Sequence, residues 1–130
     1  MTGGLGATLK IAFETLEPDR VVATMPITEG HLQPFGFLHG GATAALAEHV
    51  ASFGANLNLA PGEAAFGLEI HATHLRKKRG GTLTATATPV HRGRRIQVWR
   101  IEIEDEEGRR VAVAQCTLAV VPLDSRGPGA

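Results

Sequence analysis

From Gly40 or Gly41 to about Leu57 the chain reads as a single helix whose Ala, Leu, Val and Phe residues are spread around nearly its whole circumference. A helix apolar on almost every side must be covered on almost every side. Its many Ala and Gly residues let whatever covers it come very close. The sequence after it has a different period. Phe66, Leu68, Ile70 and Ala72 alternate with Gly67, Glu69, His71 and Thr73, and the alternation resumes in TLTATATPV from Thr82 to Val90. IQVWRIEIE, Ile96 to Glu104, carries apolar residues on both faces, and VAVAQCTLAVV, Val111 to Val121, is a further strand. Gly80-Gly81, HRGRR and DEEGR supply the turns, the last hinged on Gly108. Two short strands, Leu9 to Phe13 and Val21 to Pro26, precede the helix and are separated by a turn at Pro18-Asp19. One buried helix among antiparallel strands predicts an α+β domain, a curved sheet wrapped around a central helix. The alternative is a helix lying on one open face of a sheet. Strands that are apolar on both faces predict that another copy of the chain covers the outer face.

At 130 residues the chain is one domain, read as 1–121 with a frayed tail at 122–130. Its 13 basic and 13 acidic residues cancel, which argues against a general nucleic-acid or membrane-surface binder. The single cysteine, Cys116, excludes an internal disulfide and fits a reduced, cytoplasmic setting. MTGGLGATLKIAF lacks the features of a signal peptide, and no run approaches the roughly 18 apolar residues that span a bilayer. The six histidines lack metal-ligand spacing, so no metal site is expected.

One acid, Glu48, stands inside the apolar helix, eight residues past Gly40. Such a glutamate ordinarily points to solvent, and a Gly pair before a helix is ordinarily a turn. A second reading gives both a chemical task. The first N–H groups of a helix have no intrahelical partner and favour negative charge. Gly40 and Gly41 let a substrate approach that backbone, where the donors suit the oxyanion formed when a carbonyl is attacked. Gln33 and His39 are candidate additional donors. Glu48 is a candidate base or nucleophile, and Ser52, one turn on, is placed to orient it or to position water. At 1.5 Å rise per residue, Gly40 and Glu48 lie roughly 12 Å apart along the axis, too far to act on one carbonyl. A two-fold partner removes the difficulty by bringing its own Glu48 to this Gly40. The expected site is therefore shared, in a cleft of low polarity that makes a carboxylate more basic.

Two basic runs flank the strand at Thr82 to Val90: RKKRGG (Arg76 to Gly81) and HRGRR. Most such runs are solvated turns. Aromatics are only 5% of the chain and do not interleave with the arginines, which disfavours single-stranded nucleic acid. A phosphorylated small molecule such as coenzyme A fits better, gripped by Arg and by the backbone at Gly93. Of the two runs, HRGRR (His91, Arg92, Gly93, Arg94, Arg95) is favoured for that task.

QPFGFLHGGATAALAE followed by Ser52 resembles the signature of the hotdog-fold acyl-CoA thioesterases, in particular the branch acting on aromatic acyl groups. GLEIHATHLRKKRGG, PVHRGRRIQVWRIEIEDEEGRRVA and the last strand resemble it as well, so the likeness runs from about Leu9 to Val121. The resemblance implies a hotdog fold, a homodimer with one continuous sheet that commonly pairs into a homotetramer, and an acyl-CoA substrate. It implies no cofactor, coenzyme A being part of the substrate. Glu48 falls on the catalytic carboxylate, Gly40 on the amide that polarises the thioester carbonyl, Gln33 on a helper there, His39 and Ser52 on supporting positions, and HRGRR on the nucleotide contact. Related phenylacetate-pathway thioesterases more often carry Asp where this chain has Glu48. Phe35, Phe37 and Phe53 are candidate walls for an aromatic acyl group. A dehydratase or hydratase of hydroxyacyl thioesters, with His39 as base, and a non-catalytic acyl-CoA binding module are the competing readings.

Overall fold

The computed structural model describes residues 3–123. Its elements are α1 (Gly4–Thr8), β1 (Ala12–Glu17), β2 (Arg20–Pro26), α2 (Gly40–Asn56), β3 (Glu63–His74), β4 (Thr82–Arg92), β5 (Ile96–Glu104) and β6 (Arg110–Pro122). The strands form one antiparallel sheet of six in the order β1-β2-β4-β5-β6-β3. α2 contacts every strand of that sheet, so the sheet wraps the helix rather than lying flat beneath it. This is the hotdog arrangement.

The wrapping follows from side-chain size. Leu46, Ala47, Val50, Ala51 and Ala55 of α2 are fully buried against Val21, Met25, Leu83, Trp99, Ile101, Ile103 and Leu118. Where Trp99 of β5 packs on the helix, the helix carries Gly54. A Cβ there would lie 2.7 Å from the fully buried Trp99 ring. The ring nitrogen donates to Gln97 Oε1 at 2.9 Å, and Gln97 Nε2 donates to the Ala55 carbonyl at 3.2 Å. The buried amide of β5 is thus satisfied and ties the sheet to the last turn of α2.

Three expectations are corrected. The first strand begins at Ala12, not Leu9, because Gly4–Thr8 forms the short helix α1 and Lys10 takes a positive φ of 61° between the two. The segment GLGAT has poor helix propensity. It is held by packing, with Gly6 buried so closely against His49 that a Cβ would meet the imidazole at 2.6 Å. In β3 the strict alternation is broken. The register shifts between Gly67, opposite Leu118, and Glu69, opposite Thr117, so Leu68 is an extra residue. The bulge leaves Phe66 and Leu68 exposed while Ile70 and Ala72 pack on the core. Finally, Pro122 belongs to β6, and the Leu123 N–H donates to the Gly62 carbonyl at 2.8 Å. Positions 124–130 of the expected tail lie outside the described residues.

The β5–β6 turn is fastened by Asp105. Burial alone would raise its carboxyl pKa. The Arg109 and Glu107 N–H groups, the Lys78 ammonium and the Arg109 guanidinium outweigh that and hold it well below the usual carboxylate range. A carboxyl with a depressed folded-state pKa contributes stability above its unfolded value of about 3.9 and loses it as pH falls further. Thermal unfolding should therefore show Tm falling below about pH 4 in the wild type. An Asp105→Asn variant should be less stable at neutral pH and show a shallower fall.

Candidate active site

Two clefts and two small hollows carry most of the candidate residues. The first cleft, about 570 Å³, is lined by Gln33, Phe35, Phe37, Gly40, Thr43 and His74 among others. At the start of α2, His39 is the N-cap: its Nδ1 accepts the Gly41 N–H at 2.8 Å, and its carbonyl accepts from Ala42 at 3.0 Å and Thr43 at 3.4 Å. Those bonds leave the Gly40 N–H without a protein partner among the described residues. Gly40 itself packs against His74, whose Nε2 would lie 3.0 Å from a Cβ at that position. Gly40, with this free amide, lines the cleft at the positive end of the helix.

Gln33 sits beside it in a tight loop. Its side-chain oxygen accepts the N–H of Phe35 at 2.6 Å and of Phe37 at 3.3 Å, and its own N–H donates to the Phe37 carbonyl at 2.7 Å. Gly36, at φ 87°, makes the reversal that brings these groups together. Because the oxygen is committed to the backbone, the Gln33 NH₂ is the end left to donate. His39 does not line this cleft. Its ring borders a separate small hollow with Leu5, Leu9 and Leu32. Its contribution is to cap the helix that presents Gly40.

Glu48 is elsewhere, as the axial distance required. It lines a shallow hollow of about 330 Å³ with Leu5, Ala45, His49 and Ser52. Its carboxylate lies against the Gly67 backbone, where any Cβ would collide with it. The glycine thus gives the acid room at the free outer edge of β3. Among the described residues Glu48 has no ion pair, and Ser52 makes no hydrogen bond to it. Burial pushes the His49 pKa down, so the ring beside Glu48 is neutral at neutral pH. Cys116 is not a competing nucleophile: burial first, then the charges of Glu48 and Glu69, push its thiol up to about 12.

Phe35 is 82% exposed at the mouth of the Gly40 cleft, and Phe37 lines the same cleft. Phe53 does not join them; it packs on Phe13 and His49 at centroid distances of 4.5 and 4.9 Å. Arg92, Gly93, Arg94 and Arg95 line the second cleft, about 660 Å³, with Asn58, Leu59 and Glu63. His91 folds back over Gly93 instead. The other basic run is not a free turn. Lys78 is paired with Asp105 at 3.3 Å and Glu106 at 2.7 Å, while Lys77 and Arg79 stack on Phe37.

Sequence reading did not single out Thr43 or His74. Thr43 has a buried hydroxyl with no hydrogen-bond partner among the described residues, and His74 ends β3 against Gly40. Only the pairing of β3 with the start of α2 makes either one a cleft residue. No group of three or more His, Cys, Asp or Glu residues able to hold a metal occurs among the described residues. No helix there is long and apolar enough to cross a membrane.

A sheet wrapped around one helix, with an unpaired amide at the helix head and an acid on the helix flank, defines a hotdog enzyme that works on activated carbonyls. The chain belongs to the thioesterase superfamily, whose family model matches residues 35–112. It is 45% identical over 117 residues to a 1,4-dihydroxy-2-naphthoyl-CoA hydrolase of Listeria monocytogenes, covering 90% of this chain and 95% of that protein. It is 41% identical over 119 residues to the protein of the same name from Escherichia coli, covering 92% and 88%. The crystal structure of the thioesterase HI1161 from Haemophilus influenzae superposes with a TM-score of 0.86 at 44% identity, covering 90% of this chain and 82% of that one.

Proposed function

We propose that the protein hydrolyses an aromatic acyl-CoA thioester to the free acid and coenzyme A, at two sites shared between the protomers of a dimer. The observation that carries this reading is the unpaired Gly40 N–H beside a Gln33 amide whose oxygen is already held. Two such donors on the lining of one cleft suit a thioester oxygen that gains negative charge as the carbonyl is attacked. No carboxylate lines that cleft.

The outer edge of β3 supplies the attacking group. β3 ends the sheet and pairs only with β6, and it exposes Phe66 and Leu68. An unpaired edge of this length with apolar side chains invites a second strand. Antiparallel pairing of two β3 strands about a two-fold axis between Ile70 and His71 sets Gly67 of one chain opposite His74 of the other. Glu48 lies on Gly67 and Gly40 lies on His74. The pairing therefore delivers one protomer's acid to the other's amide. The same reading allows a second association, of dimers into a tetramer, through the outward sheet face.

Glu48 then either takes a proton from attacking water or attacks the carbonyl itself. Gly40 N–H and the Gln33 NH₂ hold the oxyanion, and its collapse expels the coenzyme A thiolate; direct attack leaves an acyl anhydride on Glu48, which water then hydrolyses to the free acid and the regenerated carboxylate. Ser52 is placed to position the water, and His39 keeps the helix start in shape. Arg92, Arg94 and Arg95, with Gly93 and His91, are the proposed contacts to the nucleotide phosphates. Water and thioester are the only reactants required, so no cofactor enters. Coenzyme A esters are made and consumed inside cells, and the proposed setting is the cytoplasm. The aromatic acyl group is supported by Phe35 and Phe37 at the cleft and by the names of the two hydrolases above.

A panel of benzoyl, naphthoyl and fatty acyl-CoA esters, assayed for released thiol, tests the proposal. Aryl esters should give the higher kcat/KM. Equal or faster turnover of long fatty esters would overturn the aromatic assignment, and absence of thiol release from every ester would overturn the activity.

A further inference from the structure

We propose that Arg79, assisted by Lys77, is a positioning residue that fixes the carbonyl-polarising amide of Gln33 by stacking on Phe37. This rests on the reading of Gln33 as a donor to the thioester. The run from Lys77 to Arg79 is pinned at its centre: the Lys78 carbonyl accepts the Leu38 N–H at 2.7 Å, and the Lys78 ammonium is held by Asp105 and Glu106. Lys78 is turned toward the β5–β6 turn, while its two neighbours lie over Phe37 of the QPFGF loop. The Arg79 guanidinium carbon lies 4.1 Å from the Phe37 ring centroid and the Lys77 ammonium 5.3 Å from it. Arg79 also covers the loop reversal, with a guanidinium nitrogen 3.5 Å from where a Cβ on Gly36 would stand.

Phe37 is in turn the residue that holds Gln33. Its N–H and carbonyl bond the Gln33 side-chain oxygen and backbone N–H respectively. The path from cation to ring to amide is two contacts long, Arg79 to the Phe37 ring and the Phe37 N–H to Gln33 Oε1. It ends on the group whose direction decides whether an NH₂ points into the cleft. Arg suits the ring because its planar, weakly hydrated guanidinium stacks face-on.

The same cations near the cleft also fit a phosphate of coenzyme A, and the test separates the two roles. Arg79→Met, Arg79→Lys, Phe37→Leu and the Arg79→Met/Phe37→Leu double variant are assayed on benzoyl-CoA and on the benzoyl thioester of N-acetylcysteamine, which has no phosphate. Arg79 is exposed, and a thermal melt checks that each variant folds. Arg79→Met should lower kcat about two- to five-fold on both substrates, the range of an exposed cation–ring contact. Arg79→Lys should recover part of the loss, and Arg79→Met should add nothing in the Phe37→Leu background. The proposal is overturned by a loss confined to KM for the CoA ester, by an undiminished loss in the Phe37→Leu background, or by no loss at all. Gln33→Ala distinguishes a failure of the underlying reading: normal kcat in that variant removes the donor role and this inference with it. A defective Gln33→Ala beside a normal Arg79→Met removes this inference alone.

Discussion

Glu48→Gln should lower kcat on an aryl-CoA ester by about 10²–10⁴, the usual cost of losing a positioned base. That corresponds to roughly 3–5 kcal/mol of barrier. The substitution preserves shape and removes only the charge and the proton-accepting capacity. Glu48 is half-buried and has no ion pair or hydrogen bond among the described residues, so nothing in the fold depends on its charge. Tm should therefore stay within a few degrees of wild type. A large loss of activity with an unchanged melt assigns the residue to the chemistry. Turnover within a few-fold of wild type contradicts the assignment. Gly67→Val offers a second approach to the same group, since the added side chain must displace the carboxylate from the β3 bulge.

The second large effect concerns stability. Trp99→Ala should lower the unfolding free energy by about 3–5 kcal/mol, measured by urea denaturation. Trp99 is the largest fully buried side chain, and it fills the space that Gly54 leaves on the helix. Its removal opens a cavity between β5 and the helix at Gly54. It also takes away the donor to Gln97 Oε1, leaving a buried acceptor without its partner. The reciprocal change, Gly54→Ala, should cost about 1–3 kcal/mol through overpacking, because the ring it meets is buried on all sides and cannot swing away. A loss below about 1 kcal/mol for Trp99→Ala would mean that the core closes around the gap.

The elements that could be read from the chain are those with local signals. α2 announces itself by Ala-rich composition and ends where expected, and β5 spans Ile96–Glu104 as its apolar run predicts. The separation of Gly40 from Glu48 was also legible, since helix rise alone puts them in different clefts. What was hidden depends on contacts distant in sequence. GLGAT is helical because His49, some forty positions on, packs over Gly6. The β3 bulge lies in its pairing with β6 and beside the Glu48 carboxylate, neither of which shows in the alternation of Phe66, Leu68 and Ile70. The basic run Arg76 to Arg79 has the composition of a solvated turn. Only the fold reveals that alternate residues serve an ion pair on one side and an aromatic ring on the other. Thr43 and His74 were invisible as cleft residues for the same reason.

The central claim is that the donors and the acid of one site come from two chains. Subunit mixing tests it most directly. Glu48→Gln and Gln33→Ala proteins are each prepared in inactive or weakly active form, then unfolded together and refolded at equal concentration. If the site is shared, each mixed dimer contains one site built from an intact Gln33 and an intact Glu48. Random pairing then restores about a quarter of wild-type activity, because half the dimers are mixed and one of their two sites is whole. Activity that stays at the average of the two parents places both groups of each site in one chain, and contradicts the account.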